Sequence, residues 1–452
     1  MKGTRKTLAL LGAAVLVLAA GCGNPWLREL FKDPAPRAVQ KPVPPPPLIL
    51  RVDAGADKAF TIPANNGWAY DWYIDWGDGT AEEHETGTGA ADAGIPHTFP
   101  ADEEYDITIQ AAGNTGHAAF GLRFSASGSN AAANKQKLLK ALGHLAENTS
   151  VAEFPDAWAY CFFGCTNLNE VSATLLPDVS NGTSSIFYHM FEGCSSLAAL
   201  PPGFTLPAVP NGTSYIFAYM FYGCSSLAAL PEGFTLPVVP NGTSAVFNSM
   251  FRGCSSLAAL PEGFTLPAVP EGTSSIFYYM FYGCSNLAAL PEEFTLPAAP
   301  NGTSAVFSGI FYNCSSLAAL PEGFTLPAVS SGTSDIFIRM FSGCSSLAAL
   351  PEGFTFPAVS SGTGNIFREM FYNCSSLAAS INDLIPATVM DETRLNAHNG
   401  NMLRTFENCG GLTGSAQTAI TTGFGGAAPS DGRYTFSGCT SLDLSGVHAN
   451  WQ

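Results

Sequence analysis

Ten of the twelve cysteines recur at a fixed place in this chain, and regularly spaced thiols could hold a metal, form disulfides or fill a core. Cys194, Cys224, Cys254, Cys284, Cys314, Cys344 and Cys374 lie 30 residues apart; Cys165 precedes them by 29, and Cys409 and Cys439 follow at 35 and 30. A structural zinc site needs thiols or imidazoles in a tetrahedral set. None of the seven histidines (His84, His97, His117, His144, His189, His398 and His448) stands in register with the column. Disulfides are the usual reading of many cysteines in an exported chain. A residue that holds the same position in every repeat forms a column on one face instead, where a buried thiol behaves as a small apolar group. A reduced ladder is therefore expected. Cys161 falls four residues before Cys165, where other units carry Met190, Met220, Met250 and Met280, so it replaces a core methionine.

The other chemical candidates are weaker. Glu232, Glu262, Glu292, Glu322 and Glu352 also repeat at one position. Paired carboxylates serve glycoside hydrolysis, but the same residue in every unit marks a structural or solvated row rather than one unique site. Such a row could hold calcium weakly. No H-E-x-x-H, G-x-S-x-G or G-x-x-x-x-G-K-[ST] pattern occurs. No enzyme activity, catalytic residue, metal or cofactor is expected. Lys plus Arg number 19 against 36 Asp plus Glu, a net charge of −17. That balance argues against a nucleic-acid partner, which needs a basic footprint.

Binding is the better class. The positions that vary between near-identical units are rich in tyrosine: Tyr188, Tyr219, Tyr222, Tyr278, Tyr279, Tyr282, Tyr312 and Tyr372. Tyrosine supplies contact area at low entropic cost. Tyr219, Tyr222, Tyr278, Tyr279, Tyr282 and Tyr312 are the candidate ligand-binding set. Two readings stay open: these rings recognise a ligand, or they merely cover their neighbours.

The elements that must position these side chains follow from the 30-residue period, which means a solenoid or array. Phe217, Met220, Phe221 and Cys224 are spaced 3, 1 and 3, which predicts one face of a short helix. Thr213 or Ser214 offers its N-cap. Gly or Asn before each Cys (Gly193, Gly223, Asn313, Asn373) suits the left-handed residue that ends it. Leu197, Leu200, Phe204 and Leu206 should then point inward from a strand and its return loop. Neighbours must stack, because no unit buries its apolar face alone. Asn-Gly-Thr at 181, 211, 241 and 301 reads as a turn.

Upstream, Leu48 to Val52, Trp72 to Trp76 and Tyr105 to Ile109 read as strands, with Gly77-Asp78-Gly79-Thr80 a turn. Asp75 and Asp78 could bind calcium, but Asp78 more simply caps its own turn. The W-x-GDG turn with the later His97-Thr98-Phe99 and Tyr105-x-Ile107 resembles the PKD-type immunoglobulin-like sandwich. Leu138, Leu139, Leu142 and Leu145 fall at helical spacing and predict a helix covering the first repeat. At the start, Lys2, Arg5 and Lys6 precede the apolar run Leu8–Ala20, which is too short to span a bilayer. Leu18-Ala19-Ala20-Gly21-Cys22 resembles the lipobox of bacterial lipoproteins, which implies acylation of Cys22 and cleavage before it. Pro34, Pro36, Pro42 and Pro44–Pro47 favour an extended tether.

Met-Phe-x-Gly-Cys-x-x-Leu at 190–197, and again from 220, 250, 280 and 340, resembles the repeat of BspA-like leucine-rich repeat surface proteins. The reading is a multidomain chain: a small PKD/Ig-like β-sandwich followed by an α/β leucine-rich-repeat-type solenoid of 30-residue units. The expected boundaries are 1–21 signal peptide, 22–48 lipidated Cys22 and tether, 49–127 sandwich, 128–164 linker and N-terminal cap, 165–438 about nine repeats, and 439–452 C-terminal cap. The resemblance implies export to the outer membrane, lipid anchoring through Cys22, surface exposure, and a protein or glycan ligand. The alternative is a structural envelope protein without an external ligand.

Overall fold

The structure is a computed structural model that describes residues 47–64, 69–88, 94–111, 122–124, 134–145, 158–179, 184–360, 363–385, 389, 401–426 and 434–452. The apolar leader, Cys22 and nearly all of the Pro-rich segment lie outside the described residues. So do the Asn-Gly-Thr at 181 and residues 128–133 and 146–157 of the linker.

The N-terminal part is built on alternating strands. β1 (Leu48–Asp53) buries Leu48, Leu50 and Val52 and turns the residues between them outward, the period of a half-buried strand. With β2 (Ala59–Pro63), β3 (Ala69–Asp75), β4 (Glu83–Thr88), β5 (Gly94–Thr98), β6 (Glu104–Ala111), β7 (Leu138–Gly143) and β8 (Glu170–Val171) it forms two sheets. One is six-stranded, in the order β4-β3-β6-β1-β7-β8; the other pairs β2 with β5. This is the expected sandwich, seen in part. The residues around Leu138 depart from expectation. They form β7, antiparallel to β1 and parallel to β8, and not a helix. β8 already belongs to the first repeat, so the linker is a shared strand that carries one sheet into the repeats.

The repeats differ from the expected α/β unit: among the described residues of 158–360, none is helical. The segment read as a helix is a chain of overlapping turns whose backbone donors alternate in direction. Tyr188, Met190, Glu192 and Cys194 donate three residues back, at 3.1–3.2 Å. Ser185, Phe187, His189, Phe191 and Gly193 donate to Ser214, Ile216, Ala218, Met220 and Tyr222 of the next unit, at 2.8–3.1 Å. Every fourth residue is left-handed: Ser185, His189 and Gly193 here, then Tyr215, Tyr219 and Gly223. The side-chain period is therefore four. Ile186, Phe187, Met190, Phe191 and Cys194 all point into the core with no exposure. Thr213 caps no helix; its hydroxyl donates to the Pro210 carbonyl at 2.8 Å and closes the Asn-Gly-Thr turn, as Thr243 and Thr303 do in theirs and Thr273 does in Glu271-Gly272-Thr273.

Stacked rings run through the units. Phe162, Phe191, Phe221, Phe251, Phe281, Phe311, Phe341, Phe371, Phe406 and Phe436 form one column, with centroids 5.3–5.9 Å apart. Phe187 to Phe367 form a second, at 5.6–6.2 Å. The first column begins on Phe124 of the N-terminal part and ends under Trp451, which is also packed on Phe424 of α2 (Ala416–Phe424). A shorter helix, α1 (Ile381–Leu384), precedes α2. Leu197, Leu200, Phe204 and Leu206 are buried as expected. From Cys194 to Cys439 each thiol of the column donates to a phenylalanine carbonyl one unit back, as Cys224 does to Phe191 at 3.2 Å. The eleven described cysteines are all free and buried. Burial pushes their thiols up, Cys224 to about 12.

Candidate functional site

The core positions of the turn segment are nearly invariant between units, so whatever distinguishes one unit from the next lies outside them. Turns with a period of four put two residues of each four inward and two outward. The outward columns run through residues 185, 188, 189 and 192 and their counterparts 30 further on. These columns carry the tyrosines.

The structure brings the six candidates into two groups. Tyr282 stacks on Tyr312 at 4.6 Å, Tyr279 lies 5.5 Å from Tyr282 and 6.0 Å from Tyr312, and Tyr278 meets Tyr279 edge-on at 4.2 Å. Tyr219 and Tyr222 form the second group, 6.0 Å apart, extended by His189 stacked on Tyr219 at 4.6 Å. Arg252 joins them: its guanidinium lies 4.4 Å from the Tyr282 ring centroid and 5.4 Å from that of Tyr222. A cation held between ring faces gains from their quadrupoles. All six rings are half-buried. Burial, and then the neighbouring Tyr279, pushes the Tyr278 hydroxyl up to about 12. The Tyr278 phenol therefore stays neutral at physiological pH and acts as a hydrogen-bonding, not charged, group.

Beside Tyr278 and Tyr279 the face is hollow. The next unit has Ala305, Ser308 and Gly309 at three of its four outward positions, Tyr312 being the fourth. A Cβ on Gly309 would collide with the Tyr279 ring, so glycine is what lets that ring lie flat. The following unit rises again with Asp335, Ile338 and Arg339, and Arg368 comes from the one beyond. The hollow measures about 360 Å³. Glu369, almost fully buried, accepts from Arg339 at 2.6 Å and from Arg368 at 3.3 Å, which fixes both guanidiniums. Burial alone would raise the Glu369 carboxyl; the two arginines hold it below the usual range.

Sequence reasoning found three of the four outward columns, through their tyrosines. It missed His189, Arg252, Ser308, Asp335, Ile338, Arg339 and Arg368. A signal existed: Arg252, Arg339 and Arg368 are the only Lys or Arg between Lys140 and Arg394, and all three stand on this face. Glu232, Glu262, Glu292, Glu322 and Glu352 are exposed elsewhere on their units. In the N-terminal part, Asp78 accepts from the Thr80 amide and hydroxyl, at 3.0 and 2.6 Å, and so caps its turn; its second oxygen bonds His97 at 2.8 Å. Among the described residues no group of three His, Cys, Asp or Glu could hold a metal ion, and no helix is long and apolar enough to cross a membrane.

These features define a β-rich repeat protein whose side chains, not its backbone, make up its variable surface. The family of BspA type leucine rich repeat regions matches residues 157–261 and 209–385 in 6 copies. That is half of the chain, and the chain belongs to this family. The search of curated proteins found no match.

Proposed function

We propose that this protein is a lipid-anchored bacterial surface protein that binds protein or glycan ligands through the outward columns of a leucine-rich-type solenoid. The observation that carries the reading is the segregation of residue types. The inward columns of Phe, Ile, Met and Cys barely change, whereas the outward columns collect Tyr, Arg and His in unit-specific combinations. Packing explains the first pattern. It does not require the second, because small residues satisfy the same positions at Ser249 and Gly309. Aromatic and arginine clusters are the side chains that dominate recognition surfaces. Membership of the BspA-type family, whose repeats are often involved in surface interaction, agrees with this role. Such a protein has no catalytic centre and needs no cofactor.

Acylated Cys22 supplies the membrane partner and the proline-rich segment a spacer, with the N-terminal PKD-like domain between spacer and repeats. Stable anchoring needs two or more acyl chains, which the modified Cys22 would provide. The test is twofold. Cys22→Ser should abolish lipid labelling and release the protein from the membrane fraction. Protease added to intact cells should degrade the wild-type repeats. Retention of the serine variant on the membrane, or full protection from external protease, would refute the placement.

A further inference from the structure

The hollow between Tyr278/Tyr279 and Arg339 has the size of a small-molecule site, at the lower end of the roughly 300–1,000 Å³ usual for ligand pockets. It lies where the small Ala305, Ser308 and Gly309 of one unit follow Tyr278 and Tyr279 and precede Asp335, Ile338 and Arg339.

What could occupy it follows from the groups that face it. Three of the main-chain donors that border it are already engaged. Ala305 donates to Ser334 at 2.9 Å, Gly309 to Ile338 at 2.7 Å, and Tyr279 to Ser308 at 2.9 Å, all within the ladder between units. A peptide adding as a strand would compete with these bonds between units. Recognition must come from side chains. The Tyr278 and Tyr279 rings form one wall. The rest of the lining carries a carboxylate acceptor, Asp335, steadied by the Asn365 amide at 3.1 Å, and the two guanidinium donors fixed by Glu369, of which Arg339 also bonds the Tyr279 side chain. The formal charges balance, two arginines against Asp335 and Glu369, so the hollow does not favour a strongly charged ligand. It suits a compact neutral molecule with an apolar ring face and several hydroxyls. Each hydroxyl can donate to a carboxylate and accept from a guanidinium, while the C–H face lies on the electron-rich ring faces of the tyrosines.

We propose that this hollow is a carbohydrate subsite that takes one neutral pyranose ring of a glycan. The proposal rests on the outward face being a ligand-binding surface, and it narrows that reading to one ligand class at one place.

The experiment uses the full-length protein in detergent on an array of neutral oligosaccharides, sialylated and uronate-containing oligosaccharides, and immobilised extracellular-matrix proteins. Neutral hexose-containing glycans should be bound. Asp335→Asn, which keeps shape, and Tyr278→Ala should each weaken that binding at least tenfold with unchanged thermal melting. Glu262→Gln, on an exposed loop away from the face, should bind as wild type. Retention of glycan binding by both hollow variants would overturn the proposal, as would binding confined to acidic glycans or to proteins; in each case the face would still be a binding surface. No binding to any class would overturn both readings.

Discussion

Removing one ring from the long aromatic column should cost a large share of the stability of the repeats. Phe281 has no exposure and is stacked between Phe251 at 5.7 Å and Phe311 at 5.8 Å, with Phe264 edge-on at 6.1 Å. Phe→Ala at such a site costs about 3–5 kcal/mol through lost burial and the cavity left behind. Each aromatic pair adds about 0.5–1.5 kcal/mol beyond area, so three pairs place Phe281→Ala at the upper end of that range. Phe281→Leu keeps most of the volume, and a well-accommodated apolar swap costs less than about 1.5 kcal/mol; the leucine variant should lie between that value and the alanine one. The position also couples two neighbours, since each unit donates hydrogen bonds to the next. In a linear array, weakening one interface lets the two sides unfold separately. Equilibrium denaturation in guanidinium, followed by circular dichroism, should show a lower midpoint and a broadened or two-step curve. A loss below about 1 kcal/mol with a single sharp transition would mean that the column does not hold the units together.

The buried thiols, pushed up by desolvation (Cys439 to about 11, Cys224 to about 12), should resist a thiol reagent in the folded protein. In guanidinium without reductant, the eleven described cysteines should all titrate; almost none titrating would show disulfides instead. In the N-terminal part, burial alone would raise the Asp78 carboxyl, but its bonds from Thr80 and His97 hold it down at about 2. A depressed carboxylate stabilises above its unfolded value of about 3.9, and that contribution is lost as pH falls from about 4 through 2. Thermal melts of the wild type should drop across that window, and Asp78→Asn should flatten the drop; an equal drop in the variant would assign it to other groups.

The repeat period, the Phe and Leu columns and the strands β1, β3 and β6 were legible because burial repeats with a fixed register. The helix expected at Phe217–Cys224 was not distinguishable from the turns that form there. A 3, 1, 3 spacing satisfies a period of 3.6 and one of 4 equally over so few residues. What separates them is the left-handed backbone of Tyr215 and Tyr219, unfavourable for such residues by about 1–2 kcal/mol each and offset by hydrogen bonds to a unit 30 residues away. No local propensity records that. Leu138–Gly143 was misread for a related reason: its strand state comes from pairing with β1, some 90 residues upstream. The tyrosine columns were visible as variable positions. The hollow was not, because its informative residues, Ala305, Ser308 and Gly309, are small, and it exists only once three units are stacked.

The claim that matters most is that the outward columns bind a ligand, and the double variant Tyr279→Ser/Tyr282→Ser tests it most directly. Both rings lie off the core, so thermal melting should stay close to wild type. Cells displaying the wild-type protein should attach to one of the immobilised glycans or matrix proteins. Cells displaying the double variant at equal density should bind that same surface at least tenfold more weakly, a loss of about 1.4 kcal/mol. Undiminished attachment by a normally folded double variant would contradict the account.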